Sequence, residues 1–228
     1  MKKYELLLFD ADDTLFDFHK AMCEALSKTL THRDIKCDDE MIETYDKLDL
    51  AYWHRYEAGK ITLPQMRKGH VLDFLTQYDI DIPHEEFDKS YYNHLADCSY
   101  LLDGAKELCK DLSRRYRLAI VTNGISSTQR RRMENSEIAD CFENVFISYD
   151  IGHKKPEKGF FDYVFSFYGD VPREKMIIIG DSIGSDIKGG SDAGIATCWF
   201  NRRGAAGDTS IRVDYEIHSL AEVRSLFL

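Results

Sequence analysis

No stretch of these 228 residues is long and apolar enough to span a bilayer. The opening MKKYELLLF has too short an apolar run for a secretion signal and ends in Asp10, so residence in the cytoplasm, away from membranes, is expected. Basic residues are in deficit: 30 Lys and Arg against 40 Asp and Glu leave a formal net charge of -10. That deficit argues against a protein that coats a nucleic-acid polymer or an anionic membrane. It also means that an anionic ligand must be drawn in by a local cation, not by the field of the whole molecule. The six cysteines form no C-x-x-C pair and no His clusters at zinc spacing, which points to reduced, mostly buried thiols. No repeat or low-complexity tract is present. What remains, 43% hydrophobic and 31% charged, is one large globular domain or a core with a modest second one.

The informative stretch is LLLFDADDTLFDF, Leu6 to Phe18. Leu6 to Phe9 form a continuous apolar run of the kind found in a central parallel strand covered on both faces. Asp10, Asp12 and Asp13 follow at its carboxyl end, where open α/β sheets place their ligand crevice. Three carboxylates in four residues repel one another unless a cation or a reacting proton compensates them. Asp10 and Asp12 are two residues apart and can point to one side, one to attack and the other to move a proton. Asp13 reads as a solvated turn residue.

From Phe18 to about Asp97 the apolar spacing is helical: Met22, Ala25, Leu26; Met41, Ile42, Tyr45; Met66, Val71, Phe74 after a Thr62 cap; and Phe87, Tyr91, Leu95 after Pro83. After Gly104, helices, one of them from about Ser185 to Ala193, alternate with strands at 117–123, 144–148, 175–181 and, last, 196–201. This alternation implies parallel βαβ units. The expected fold is therefore α/β, a Rossmann-like doubly wound parallel core (1–16 and 98–228) with an inserted all-helical cap domain (17–97).

Three further segments belong at the same sheet edge. AIVTNG ends in Thr122, Asn123 and Gly124, a neutral cradle for phosphate oxygens. GHKKPEKGFF places Lys155 before Pro156 in a loop, where a fixed ammonium could neutralise both a phosphoryl group and the aspartates, with Lys154 as a solvated neighbour. IIIGDSIGSD adds Asp181 and Asp186, with Gly180 letting backbone pass close to a bound ion. Carboxylates with a lysine and a hydroxyl suit Mg²⁺ and phosphoryl transfer.

D-x-D-x-T at Asp10, Asp12 and Thr14, V-T-N-G, K-P and G-D-x-x-x-x-D occur in an order that resembles the haloacid dehalogenase superfamily. The resemblance implies an aspartyl-phosphate mechanism in which Asp10 attacks, Asp12 is acid and then base, and Thr122 and Lys155 bind phosphate, with Asn123 of the cradle as a further phosphate-binding candidate. Asp10, the backbone carbonyl of Asp12, Asp181 and Asp186 are then the expected Mg²⁺ set, Asp186 directly or through water. An acid at position 12 sets the chain apart from the dehalogenases proper. FDADDTLF, YWHRYEAGKIT with Arg67, and SDIKGGSDAGIATCWFN further resemble bacterial pyrimidine-type 5′-nucleotidases, which implies a nucleoside monophosphate as the small-molecule partner. Tyr52, Trp53, Tyr56 and Arg67 could contact a base or sugar, though aromatics at this spacing commonly form plain helical core. The rival readings are a phosphoglycolate or sugar-phosphate phosphatase, a phosphomutase, and a non-catalytic ligand-binding protein of the same fold.

Overall fold

The computed structural model describes residues 3–228. The chain divides into two compact units, one running from the N-terminus through Asp17 and resuming at Tyr100–Leu228, the other Phe18–Ser99. Among the described residues the first unit holds a six-stranded sheet, all parallel. In chain order the strands are β1 (Leu6–Phe9), β2 (Arg117–Thr122), β3 (Asn144–Ile147), β4 (Met176–Gly180), β5 (Ala196–Phe200) and β6 (Tyr215–Ile217). Their spatial order is β3-β2-β1-β4-β5-β6. The chain therefore winds outward on one side of β1 and then on the other, and the crevice of such a sheet opens at the carboxyl end of β1.

β1 is central because it is apolar on both faces. Leu6 and Leu8 pack with Val121, Phe160, Phe161 and Ile178, whereas Leu7 and Phe9 pack with Leu108, Leu112, Ile120 and Ile179 on the opposite layer, as strand alternation requires. Phe9 is level with Ile120 on β2 and Ile179 on β4, so Asp10 emerges beside the tips of both neighbours.

The four helices of the inserted unit are α1 (Phe18–Thr31), α2 (Asp39–Glu57), α3 (Leu63–Gln77) and α4 (His84–Ala96). Thr62 caps α3 as expected, in a reciprocal capping box with Gln65. Tyr45, Met66, Phe74, Phe87 and Tyr91 are buried in it. The core helices are α5 (Ala105–Ser113), α6 (Ser126–Glu134), α7 (Ser148–Ile151), α8 (Lys158–Phe167), α9 (Lys188–Asp192) and α10 (Leu220–Phe227).

Two expectations need correction. The strand over 196–201 is not the last one: β6 and α10 follow it. β6 is three residues long with only Ile217 buried, and so carries no apolar run to announce it. The helix expected from about 185 begins instead as a wide π-helical turn, Ile183–Ile187, before α9. None of the six cysteines is in a disulfide; Cys98, Cys109 and Cys198 are buried and the others half-buried. No helix among the described residues is long and apolar enough to cross a membrane.

Candidate active site

The acidic tip of β1 is stitched to that of β4. The Asp10 amide donates to the Ile179 carbonyl at 2.9 Å. Thr14, fully buried, accepts from the Asp181 amide at 3.1 Å and donates to Asp10 Oδ2 at 3.3 Å. The π turn after β4 folds Asp186 back over Gly180, where the Ser182 amide donates to Asp186 Oδ2 at 3.1 Å. Gly180 is required there, because a Cβ on it would lie 2.3 Å from Asp186 Oδ2. A π turn of this sort is a recurrent way to aim one side chain at a functional site.

Asp10, Asp181 and Asp186 each offer an oxygen to one point, these atoms all lying within 4.8 Å of one another. Lys155 closes the group: its Nζ donates at 2.6 Å to Asp10 Oδ1, to Asp186 Oδ1 and to the Val121 carbonyl. All three ammonium protons are thereby used. Burial pushes Asp10 up to about 7, against the pull of Lys155 and with Asp186 and Asp12 adding to the rise. Asp181 is held well above the usual carboxylate range by burial, then by Asp10, Asp186 and Asp13. Burial alone would lower Lys155, but Asp10 and Asp186 outweigh it and raise it.

Three carboxylates facing one ammonium leave a formal deficit that one divalent cation cancels. An all-oxygen donor set is the chemistry of a hard cation, so the residues fit a divalent metal. They do not contribute equally. Asp186 already has both oxygens engaged, by Lys155 and Ser182, whereas among the described residues Asp10 Oδ2 has only the long contact from Thr14.

Thr122 ends β2, buried, and its Oγ1 accepts from the Gly124 amide and from Gln129 Nε2, both at 3.0 Å. With two donors pointing in, its own proton is left for a further acceptor. Asn123, expected to line phosphate with its side-chain amide, has that amide engaged elsewhere. Its Nδ2 donates to the Lys155 carbonyl at 3.0 Å, and its Oδ1 accepts from the Lys155 amide at 2.9 Å. It holds the lysine loop in place.

Asp12 stands outside the carboxylate group. Gln129 Nε2 donates to its Oδ2 at 2.6 Å, and Arg132 Nη1 to its Oδ1. Asp13 sits in a turn, as expected, but is only partly solvated. It occupies the left-handed region at φ 56°, its side chain is only 25% exposed, and Arg202 and Arg203 each approach it at 3.7 Å. Burial pushes it up to about 6, against Arg203.

In the helical unit, Tyr52 donates to Asp73 at 2.7 Å and carries Arg55 over its ring, and Trp53 meets Tyr56 edge-on at 5.7 Å. Arg67 binds Asp88 at 2.5 Å and lies 4.6 Å over the Tyr92 ring. Sequence reasoning missed Gln129 and Arg132 and gave Thr14 no role. A cue was present for the pair, in that α6 has almost no apolar residue yet follows a buried strand.

A family model for haloacid dehalogenase-like hydrolases matches residues 7–200. The chain is 35% identical to the HAD-hydrolase YfnB of Bacillus subtilis, over 98% of this chain and 95% of that one. A crystal structure of YfnB bound to magnesium superposes with a TM-score of 0.94, covering 99% of each chain at 34% identity. Pyrimidine 5′-nucleotidase PynA of Streptococcus pneumoniae is 30% identical over 96% of this chain and 93% of its own. Pyrimidine 5′-nucleotidase YjjG of Escherichia coli is 29% identical over 98% of both.

Proposed function

We propose, from the premise that the chain belongs to the haloacid dehalogenase-like hydrolases, that it is a Mg²⁺-dependent phosphomonoesterase working through an aspartyl-phosphate on Asp10. The observation that carries this reading is the group of Asp10, Asp186 and Lys155, all buried, and a half-buried Asp181 at the carboxyl end of β1. A nucleophilic carboxylate is there set beside a cation site and a fixed ammonium. Asp10 and Asp181 would hold the metal directly, together with the Asp12 backbone carbonyl, while Asp186 orients the group through Lys155. The bound cation supplies charge neutralisation to the phosphoryl oxygens.

The protein's own residues carry the steps. The Thr122 hydroxyl and the Asn123–Gly124 backbone orient the phosphoryl, and Lys155 offsets its charge beside the nucleophile. An Asp10 oxygen bonds to phosphorus as the ester P–O bond breaks, and Asp12 gives its proton to the departing oxygen. Asp12 then takes a proton from the water that attacks phosphorus, which releases inorganic phosphate and restores the Asp10 carboxylate. The helical unit serves as the cap that selects the leaving group.

The substrate assigned to this site is a nucleoside monophosphate, pyrimidine first. Two full-length relatives named as pyrimidine 5′-nucleotidases support this. So does Arg67: a small acid phosphate needs a cation aimed at its carboxylate, and this arginine is committed to Asp88 and Tyr92. Phosphate release from a panel of nucleotides, phosphoglycolate, sugar phosphates and an aryl phosphate, with and without Mg²⁺, tests the whole reading. Silence on every ester with Mg²⁺ present would leave a ligand-binding protein instead.

A further inference from the structure

Helix α6 presents Gln129 and Arg132 on one face, three residues apart, and both are buried although neither is apolar. Arg132 is 1% exposed. Taking a guanidinium out of water costs several kcal/mol unless it is paired and hydrogen-bonded, and here the Asp12 carboxylate is a partner. The guanidinium also lies 4.8 Å over the Phe16 ring, and Phe16 is itself bridged to Asp12 through the backbone. Gln129 takes the other Asp12 oxygen at 2.6 Å and joins it to Thr122 Oγ1 at 3.0 Å. Its path is open only because residue 124 is glycine: a Cβ there would stand 2.3 Å from Gln129 Nε2.

Each Asp12 oxygen is thus gripped once from the protein side. A carboxylate oxygen has a second lone pair, and the Asp12 side chain remains 28% exposed, so the group stays open to proton exchange. A buried ion pair adds little stability compared with apolar packing, so a scaffold that needed only a filled core here would have no use for Arg132.

We propose that Gln129 and Arg132 are positioning residues that aim the Asp12 carboxyl at the leaving-group oxygen and at the attacking water. This rests on the assignment of Asp12 as acid and base made above. Proton transfer needs a heavy-atom reach of about 2.6–3.2 Å, and a misplacement of about 1 Å can cost on the order of a hundredfold in rate. An aspartate on an exposed strand tip has two free side-chain torsions, and the α6 pair fixes both.

The test uses kcat/KM, which reports the step in which the ester bond breaks, on two esters. One is p-nitrophenyl phosphate, whose phenolate leaves without a proton. The other is an alkyl phosphate, a nucleoside 5′-monophosphate or β-glycerophosphate, whichever the wild type turns over faster. Asp12→Asn sets the benchmark by raising the aryl-to-alkyl ratio. Arg132→Met and Gln129→Met should raise that ratio about tenfold or more, with Arg132→Lys falling between Arg132→Met and the wild type. Should Arg132→Met fail to fold, Gln129→Met decides. Equal losses on both esters, or a gain, while Asp12→Asn shifts the ratio, would overturn the positioning role and leave the phosphatase reading standing. A wild type inactive on both esters would instead remove that reading and this inference with it.

Discussion

Replacing Lys155 with Met removes the ammonium and keeps an unbranched side chain of similar length. Nζ lies 2.6 Å from Asp10 Oδ1, Asp186 Oδ1 and the Val121 carbonyl, and the side chain is 1% exposed beside an equally buried Asp186. Breaking such a pair by removing one partner costs about 3–5 kcal/mol, because the remaining charge is left uncompensated. The orphaned Val121 carbonyl adds about 1 kcal/mol or more. Part of this is recovered when a carboxylate takes up a proton instead of staying charged. Burial already raises Asp10 from 3.8 to about 7, with Lys155 pulling it down, so without the lysine the folded-state value moves higher still. An acid whose folded pKa lies above its unfolded value contributes its full stability below the unfolded pKa and loses it as pH rises through the folded one. The deficit of the variant is therefore smaller at pH 5 and grows as pH rises past the wild-type value, by about 1.4 kcal/mol per pH unit for one proton and so by about 2 kcal/mol at pH 8.5 in EDTA, an added fall in melting temperature of about 4–8 °C for a chain of this size. Thermal unfolding of both proteins at the two pH values measures it. Excess Mg²⁺ narrows the gap at pH 8.5, since the cation takes over the charge that the ammonium had offset. A deficit equal at both pH values would refute the electrostatic account and leave Lys155 a packing residue.

Asp10→Asn should lower turnover by about four orders of magnitude with no loss of melting temperature, because an amide neither attacks phosphorus nor repels Asp181; near-wild-type turnover in the folded variant would remove the nucleophile. Gly180→Ala brings a methyl 2.3 Å from Asp186 Oδ2. Displacing that carboxylate should cost about 1–3 kcal/mol in urea unfolding and lower turnover at least about tenfold, and an unchanged enzyme would show that the placement of Asp186 does not matter. On substrates, kcat/KM for UMP, dUMP or dTMP should exceed that for phosphoglycolate or a hexose phosphate by at least about tenfold, or 1.4 kcal/mol in transition-state binding. The opposite ratio would overturn the nucleotidase assignment alone.

What could be read in the sequence was whatever is written locally. The apolar run Leu6–Phe9 reveals a buried central strand because both faces must be covered, and Asp10, Thr122 and Asp181 can be found because each sits at the end of such a run. The Thr62 cap is legible because its partner Gln65 is three residues away. The residues that hold the site were hidden for the opposite reason. Arg132 meets Asp12 across 120 positions and Thr14 meets Asp181 across 167, and no window of sequence joins them. Asn123 was visible as a polar strand end, but its role in clamping the Lys155 backbone depends on a contact 32 residues away. β6 stayed hidden because a three-residue edge strand needs no apolar run.

The net charge of -10 opposes the anionic substrate proposed above, and the local arrangement would have to meet it. Charges beyond about 8–10 Å are largely screened at physiological salt, so the groups at the sheet edge decide. Asp10, Asp12, Asp13, Asp181 and Asp186 face Lys155, Arg132, Arg202 and Arg203. Fully ionised, this set carries an excess of negative charge, to which Asp17 beside Asp13 adds, and repels a phosphoryl group; one divalent cation offsets that excess and gives the phosphoryl a cation to bind. Phosphate and metal should therefore bind as a linked pair. Inorganic phosphate should raise the melting temperature in Mg²⁺ by at least about 2 °C at a concentration tenfold above its dissociation constant, where mass action supplies about 1.4 kcal/mol, and should do nothing in EDTA. By reciprocity, phosphate should tighten Mg²⁺ binding by the factor by which Mg²⁺ tightens phosphate. Equal stabilisation by phosphate with and without the metal would mean that Lys155 and the arginines suffice to hold the anion, and that the carboxylates serve some other purpose than to await a cation.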